Sequence, residues 1–261
     1  MIYHVTDGSG EPLLLLNGIA MTAASWRPVA APLTERFTVI RCDLRGQLMS
    51  PGEPPADVGA HVDDVVELLD HLGQESVHVL ATSFGGAVGA LLAARAPARV
   101  RSLLTVASAD GFTEVMAAEV ARWRAGVVES LSSGDRGVLS DVLEPVVYSP
   151  AWVEAHREER AFRRSQIAAL PKRWFEDLIG LLDSAESFSL ADELTAIRCP
   201  TLVVAAELDG FIPLDRCRAL ADAIPGAEFR IIAGAGHAVV VEDPGAVVNL
   251  ALEFFGSAEV G

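Results

Sequence analysis

The stretch VHVLATSFGGAVGALLAARAP, residues 77–97, runs from an apolar segment into one serine and then into a cluster of small residues. Ser83 is followed at once by Gly85 and Gly86, and Gly89 comes one helical turn later. A sharp turn from a strand into a helix needs small neighbours, because the two elements approach each other closely there. A serine at such a turn has a strained backbone that exposes its hydroxyl. The stretch therefore predicts a buried strand, a helix, and Ser83 between them as a nucleophile.

Apolar runs of the same kind recur along the chain and are continuously apolar rather than alternating. They lie at residues 13–17, 37–42, 102–108, 201–206 and 228–233. Such runs are typical of strands that are buried on both faces of a parallel sheet. Between them, residues 60–72 carry apolar side chains at every third or fourth position, which predicts an amphipathic helix with His61 and His71 in solvated positions. The alternation of strands and helices predicts a parallel α/β fold.

The strand pattern is interrupted once, because from Gly111 to Asp192 the sequence shows only helical patterns. We predict an α/β core of residues 1–111 and 188–261 and an all-helical cap of residues 112–187. A cap inserted there would lie over the carboxyl ends of the strands, where parallel sheets bind ligands. The short segment MIYHV before the first apolar run predicts a sheet of about seven strands, shortened at its N-terminal edge.

Composition excludes several classes of function. A formal net charge of −16 disfavours binding to nucleic acid or to an anionic membrane, since both need dense Lys and Arg contacts. The sequence has neither a long apolar stretch nor a secretory signal pattern, so we predict a cytoplasmic protein without a membrane partner. The three cysteines, Cys42, Cys199 and Cys217, lack metal-type spacing, and buried inert thiols are expected. We predict neither a metal nor a cofactor.

A serine hydroxyl is a weak nucleophile that needs a base, and the base needs an orienting carboxylate. Of the six histidines, His237 lies just past an apolar run and between small residues, in a loop that can reach over the sheet edge. Asp209 follows the preceding apolar run and completes the order Ser, Asp, His. Asp110, after the run at residues 102–108, is the competing position for the acid.

Together these motifs resemble the α/β-hydrolase family over nearly the whole chain. The matching features are NG at 17–18 followed by Trp26, DLRGQ at 43–47, the serine turn, PTLVV…D at 200–209 and GAGH…EDP at 234–244. The resemblance implies a mostly parallel α/β-hydrolase sheet flanked by helices, and a triad of Ser83, Asp209 and His237. It also implies an oxyanion hole formed by the backbone N–H groups of Ile19 and Phe84.

The chain departs from the family pattern at three positions. Asn17 stands where the family usually has His, and Ala81 and Leu48 stand where it usually has Gly. The alanine adds one methyl group to a crowded turn, which a packed turn can absorb. These departures concern the substrate class more than the triad.

Three functions are compatible with these residues. The leading hypothesis is a serine hydrolase that cleaves a carboxylic ester, lactone or thioester of a small apolar metabolite through an acyl-enzyme. The alternative uses the same triad to hydrolyse a C–C bond, or as a lyase or cyclase, on a ketone-bearing metabolite. The third is a non-catalytic receptor, which the complete triad argues against. In every case the partner is a small molecule.

Two features of the predicted cap bear on its role. Its aromatic and Met side chains mostly pack the cap onto the core, but some of them line the cleft and favour an apolar substrate. They are Phe112, Met116, Trp123, Trp152, Phe162, Trp174 and Phe175. The basic residues between 156 and 173 are interpreted as a solvated helix face, with a docking patch for an acidic partner as the alternative. They are Arg157, Arg160, Arg163, Arg164, Lys172 and Arg173.

Overall fold

The structure, a computed structural model, describes residues 1–186 and 188–258, and its strands form one sheet. The strands are β1 His4–Gly8, β2 Glu11–Leu16, β3 Phe37–Cys42, β4 Val77–Thr82, β5 Val100–Val106, β6 Thr201–Ala206 and β7 Glu228–Ile232. In the described residues the sheet has seven strands in the order β1-β3-β2-β4-β5-β6-β7. All neighbours are parallel except β1, which runs antiparallel to β3. The predicted sheet of about seven strands is confirmed, and in the structure one strand, β1, precedes β2.

Helices cover both faces of the sheet. They are α1 Arg27–Leu33, α2 Val58–His71, α3 Phe84–Arg95, α4 Glu114–Ser133, α5 Val138–Val147, α6 Pro150–Ala155, α7 Arg157–Ala168, α8 Lys172–Glu186, α9 Leu214–Ala223, α10 Val239–Glu242 and α11 Pro244–Ala258. Apolar side chains of α1 and α11 pack on one face, and those of α2, α3 and α9 pack on the other. Every residue of β4 and β6 is buried. These strands read as continuous apolar runs because neither of their faces meets water.

Helices α4 to α8 lie between β5 and β6, where the sequence predicts a helical insertion. The two ends of this segment meet: Gly111 and Ser189 form an isolated antiparallel bridge, and the N–H of Leu190 donates to the carbonyl oxygen of Asp110 at 2.9 Å. Thr113 is the N-cap of the first helix, α4, because its side chain accepts from the N–H of Met116. The insertion therefore starts with a capped helix. The cap limits of 112 and 187 stay a prediction, and residue 187 lies outside the described residues.

His61 is buried, and its predicted solvation is wrong. It lies on α2 on the same face as Val58 and Val65, and its ring is 0% exposed. The ring packs edge-on against Phe84 with centroids 5.3 Å apart, and neither ring nitrogen has a hydrogen-bond partner in the described part of the chain. Burial, assisted by the nearby charge of Arg45, lowers the pKa of His61 to about 4. His61 is therefore neutral at physiological pH.

Protonation of His61 links the stability of the fold to pH. In the unfolded chain His61 takes up a proton near its ordinary pKa of 6.5, whereas in the folded protein it does so only near pH 4. The unfolded state therefore binds more protons between these values. About 3 kcal/mol of unfolding free energy, present above pH 6.5, is lost as the pH falls toward 4.

Chemical denaturation at several pH values measures this effect. His61→Leu is expected to lose less stability than the wild type as the pH falls, while a leucine at the exposed position His71 leaves the wild-type decline unchanged. Equal declines for the wild type and His61→Leu would refute the assignment.

The cysteines are free thiols. Cys42 and Cys217 are buried, and burial raises the pKa of both thiols, that of Cys217 to about 12. Cys199 is only partly buried, against the expectation for it, because it lies in the loop before β6 rather than within a strand. The buried pair stays protonated at neutral pH, as inert thiols do.

Candidate active site

The carboxyl ends of the parallel strands bring the candidate residues to one edge of the sheet. Ile19 follows β2, Ser83 follows β4, Asp209 follows β6 and His237 follows β7. Because these strands are parallel members of one sheet, residues from four distant parts of the chain meet above the same edge.

Ser83 occupies a strained turn between β4 and α3. Its backbone has φ 52° and ψ −121°, a region that residues other than glycine rarely adopt. The N–H of Ser83 donates to the carbonyl oxygen of Val106 at 2.9 Å, and the Ser108 hydroxyl donates to the carbonyl oxygen of Ser83 at 3.0 Å. Such a conformation costs about 1–3 kcal/mol and persists where its surroundings hold it, as at functional sites.

The glycines after Ser83 are required by the space around the turn. A Cβ at Gly85 would lie 2.6 Å from the carbonyl oxygen of Asn17, and one at Gly86 would overlap the Ser108 side chain. At Gly89 an added Cβ would lie 3.3 Å from the Cβ of Ala81. Gly89 thus leaves room for the methyl group that Ala81 adds relative to the family pattern.

Gly85→Ala is expected to lower the free energy of unfolding by about 3 kcal/mol, since the new methyl group meets backbone atoms that cannot rotate away. Gly245→Ala is the matched control, because a Cβ there has its nearest neighbour at an ordinary 3.6 Å. Urea unfolding of both variants provides the comparison. A Gly85→Ala protein as stable as Gly245→Ala would show that the turn has room for a methyl group at position 85.

Asp209, His237 and Ser83 form a continuous hydrogen-bonded chain. His237 Nε2 lies 3.1 Å from Ser83 Oγ, and His237 Nδ1 lies 2.8 Å from Asp209 Oδ2. The other carboxylate oxygen of Asp209 accepts from the N–H groups of Phe211 and Ile212, each at 2.8 Å. The Asp209 side chain is 1% exposed. Because a carboxylate only accepts, Nδ1 carries the proton and Nε2 is free to take one from the serine.

Asp110, the competing acid, lies elsewhere. Its carboxylate forms an ion pair with Arg216 of α9, and its carbonyl oxygen accepts from Leu190 at the base of the helical insertion. It therefore ties the core to α9 and to the chain that returns from the insertion.

The loop that carries Ile19 is held by a buried glutamine. Gln47 Nε2 donates to the carbonyl oxygens of Gly18 at 2.9 Å and Ile19 at 3.3 Å, while its Oε1 accepts from the N–H of Leu44 at 2.8 Å. Phe84 is the first residue of α3, where a backbone N–H has no acceptor within the helix. Ile19 and Phe84 thus lie on structurally fixed segments, and both line the same cavity as Ser83.

Asn17 is part of the same buried network. Its Oδ1 accepts from the indole N–H of Trp26 at 2.8 Å, and its Nδ2 donates to Gln47 at 2.9 Å and to Asp43 at 3.3 Å. Burial raises the pKa of Asp43, while hydrogen bonds from the backbone N–H groups of Ala23 and Met49 oppose that shift. Asn17, Trp26 and DLRGQ appear among the sequence motifs, but their spacing along the chain does not predict that these side chains bond to one another.

Glu242 is a site residue that the sequence reasoning missed. Its carboxylate accepts from the N–H of Ser149 at 2.8 Å, from the Ser149 hydroxyl at 2.6 Å and from the N–H of Gly236 at 3.2 Å. The adjacent N–H of Ala238 donates to the carbonyl oxygen of Val147 at 2.7 Å. The loop of His237 is thereby fastened to the inserted segment between α5 and α6. The motif GAGH…EDP contains Glu242 and was the available signal.

A cavity of about 380 Å³, including its open mouth, lies between the strand ends and the inserted helices. The inserted segment contributes large apolar side chains, namely Phe112, Met116, Val120, Trp123, Leu182 and Phe188. The core contributes Ser83 together with Ile19, Phe84, Ala109, Phe211 and Ile212. None of these described lining residues is charged. Seven aromatic and Met residues of the cap are expected to pack it onto the core or to line the cleft. Of these, Phe112, Met116 and Trp123 line the cavity.

Five of the six basic residues of α7 and α8 are engaged in ion pairs with neighbouring carboxylates. The pairs are Arg160 with Glu144, Arg163 with Glu159, Arg164 with Asp135 and Asp141, Lys172 with Glu176, and Arg173 with Asp177. These pairs favour a solvated, charge-balanced face over a docking patch.

Residues 1–186 and 188–258 contain no group of three or more His, Cys, Asp or Glu side chains placed to hold a metal ion. In the same part of the chain, no helix has the length and apolar character needed to cross a membrane.

Known proteins share both sequence and fold with this chain. Residues 11–244 match the family model of the alpha/beta hydrolase fold. A protein named carbamate hydrolase RutD from Azorhizobium caulinodans is 30% identical, across 99% of this chain and 96% of that protein. A pimeloyl-(acyl-carrier protein) methyl ester esterase from Aeromonas hydrophila is 28% identical, across 95% of this chain and 97% of the esterase.

The fold recurs in MGS-M2, an alpha/beta hydrolase enzyme from a deep-sea metagenome library. Its crystal structure matches with a TM-score of 0.90 at 24% identity, covering 98% of this chain and 94% of that chain. The family model spans the chain from the first residue of β2 to the first residue of α11. The chain therefore belongs to the α/β-hydrolase family and is an enzyme, a hydrolase.

Proposed function

We propose that this hydrolase cleaves a carboxylic ester, lactone or thioester of a small apolar metabolite. Ser83 is the nucleophile, His237 the base and Asp209 the carboxylate that orients it. The observation that carries the proposal is the hydrogen-bonded chain from Ser83 Oγ through His237 to the buried Asp209 at the wall of an apolar cavity. The helices of residues 112–187 act as the cap of this cavity.

The reaction follows from the positions of these atoms. As Ser83 Oγ attacks the carbonyl carbon, its proton passes to His237 Nε2, and the carbonyl oxygen becomes an oxyanion. The backbone N–H groups of Ile19 and Phe84 stabilise that oxyanion. The imidazolium, held by Asp209, then protonates the departing oxygen or sulfur, which leaves an acyl-enzyme. Water attacks the acyl carbon while His237 Nε2 takes one of its protons, and the imidazolium then returns that proton to Ser83 Oγ as the acid leaves.

The lining of the cavity favours an apolar acyl or alkyl group. Burial of apolar surface against Phe112, Met116 and the other lining side chains stabilises such a group, by about 25 cal/mol per Å². One relative is named for a carbamate and another for an ester on a carrier protein. A small polar carbamate would leave this apolar cavity poorly filled. The basic residues of α7 and α8 that are paired with carboxylates of this chain are poorly placed to bind an acidic carrier protein. A free, uncharged ester fits both observations better.

Carbon–carbon bond cleavage, the alternative chemistry, finds no support in the residues that suggested it. Asn17 is fully engaged with Trp26, Gln47 and Asp43, and Leu48 packs against the core rather than lining the cavity. Both departures from the family pattern are thus structural substitutions.

A panel of p-nitrophenyl esters from acetate to decanoate, together with a fluorophosphonate probe, tests the proposed function. The protein is expected to bind the probe covalently and to hydrolyse esters of medium length faster than acetate, because a longer chain buries more apolar surface. Absence of both labelling and turnover in the folded protein would refute it.

A further inference from the structure

One residue that lines the cavity, Trp123, carries a side-chain donor without a hydrogen-bond partner among the described residues. Trp123 of α4 is 4% exposed, and its indole N–H makes no hydrogen bond with any residue that the structure describes. Among the lining residues only Ser83 and Trp123 carry a side-chain N–H or O–H. The hydroxyl of Ser83 is already hydrogen-bonded to His237. Trp123 thus carries the one side-chain donor of the described lining residues that is left over.

An unpaired buried donor is costly, and native proteins rarely keep one without a reason. The other buried indole that can be compared, that of Trp26, does have a partner: its N–H donates to Asn17 Oδ1 at 2.8 Å. The unpaired indole belongs instead to a residue that lines the cavity. A bound oxygen would restore the missing hydrogen bond.

The position of Trp123 separates it from the reacting carbonyl. Its ring packs against Phe211 with centroids 4.4 Å apart, and Phe211 packs edge-on against the His237 imidazole at 5.2 Å. The indole is therefore one aromatic ring removed from the hydrogen-bonded chain. The oxygen that it would bind belongs to another part of the substrate than the bond that is cleaved.

The lining also fixes the charge of that oxygen. None of the described lining residues is Lys, Arg or His, so a carboxylate there would be buried without a counter-charge. We propose, on the basis of the proposed function, that Trp123 determines specificity. Its N–H binds an uncharged ether, carbonyl or hydroxyl oxygen in a chain of the ester, apart from the reacting carbonyl.

Oxygen-for-methylene replacement tests this inference with little change of substrate shape. The reference substrate is hexyl hexanoate, and each analogue has one ether oxygen at a different position of either the acyl or the alcohol chain. Release of acid is followed with a pH indicator for the wild type, Trp123→Phe and the control Trp174→Phe, whose indole is buried outside this cavity. Comparing ether with alkyl substrates between two enzymes cancels the intrinsic reactivity of each ester.

At one position of the ether oxygen, the ether-to-alkyl ratio of kcat/KM is expected to be about tenfold higher in the wild type than in Trp123→Phe. Trp174→Phe should match the wild type. The chain that gives the effect identifies the acyl or the alcohol side. Equal ratios in the wild type and Trp123→Phe at every position would overturn the inference.

Two further outcomes are separable. If Trp123→Phe does not fold, the wild-type ratios are compared with those for hydroxide hydrolysis: a preference for one ether position supports the inference, and a uniform penalty on ethers overturns it. If the wild type cleaves none of the esters and resists the fluorophosphonate, the proposed function itself has failed.

Discussion

Ser83→Ala is expected to lower kcat for an activated ester by about 10⁶-fold, as loss of the nucleophile does in serine proteases, and to abolish fluorophosphonate labelling. In the proposed reaction the hydroxyl oxygen bonds to both the substrate and the probe, and the proposed backbone donors of Ile19 and Phe84 cannot replace it. The fold should remain, because a single side-chain oxygen is lost and the hydrogen bond from Ser83 N–H to Val106 is kept.

Intact-mass spectrometry after incubation with the probe measures the labelling, and circular dichroism checks the fold. Ser130→Ala is the control, since Ser130 is a buried serine of α4 whose hydroxyl accepts from the N–H of Leu139 in α5. It should label like the wild type. Labelling that persists in Ser83→Ala would place the nucleophile at another residue.

Asp209→Asn is expected to lower kcat by about 10⁴-fold. The asparagine keeps an oxygen for the N–H groups of Phe211 and Ile212 but turns an amide N–H toward His237 Nδ1. The imidazole must then accept at Nδ1 and carry its proton on Nε2. In that tautomer it cannot accept the proton of Ser83.

Asp110→Asn is the control for this variant, because Asp110 is the other acid at a strand end. It pairs with Arg216 rather than with the imidazole, so turnover should stay within a few-fold of the wild type. Stopped-flow measurement of kcat for both variants on one p-nitrophenyl ester decides between the two acids. The reverse ranking would assign the acid to the end of β5.

Most of the sheet could be predicted from sequence because its inner strands, unlike β1 and β7 at the edges, are buried on both faces. Runs such as 77–81 and 201–206 are continuously apolar, and their order with the helices between them leaves few arrangements. Strand β1, HVTDG, escaped this criterion. It is an exposed edge strand that pairs with β3 through its backbone, so its side chains carry no apolar pattern.

His61 shows how residue type can mislead where spacing does not. It stands three residues after Val58 and four before Val65, which are both buried, so the helical period already placed it on the inner face. A histidine beside two aspartates suggested solvent instead.

The residues around the candidate site divide in the same way. Ser83, Asp209 and His237 could be located because each follows an apolar run at a strand end. The links through Gln47 and Glu242 could not, since they join segments far apart in the chain. Which cap side chains reach the cavity depends on how the helices pack, and sequence periodicity cannot separate Trp123 from Trp174.

The bridge between Gly111 and Ser189 means that the chain leaves the sheet and returns to it at nearly one point. The segment between these residues is thus an insertion with a closed base, and it lies outside the register of β5 on β6. The same sheet and the same three polar residues can therefore be combined with different inserted segments, provided that the contacts of Val147 and Ser149 with the loop of His237 are kept. Exchange of this segment in that way gives a route to new specificities.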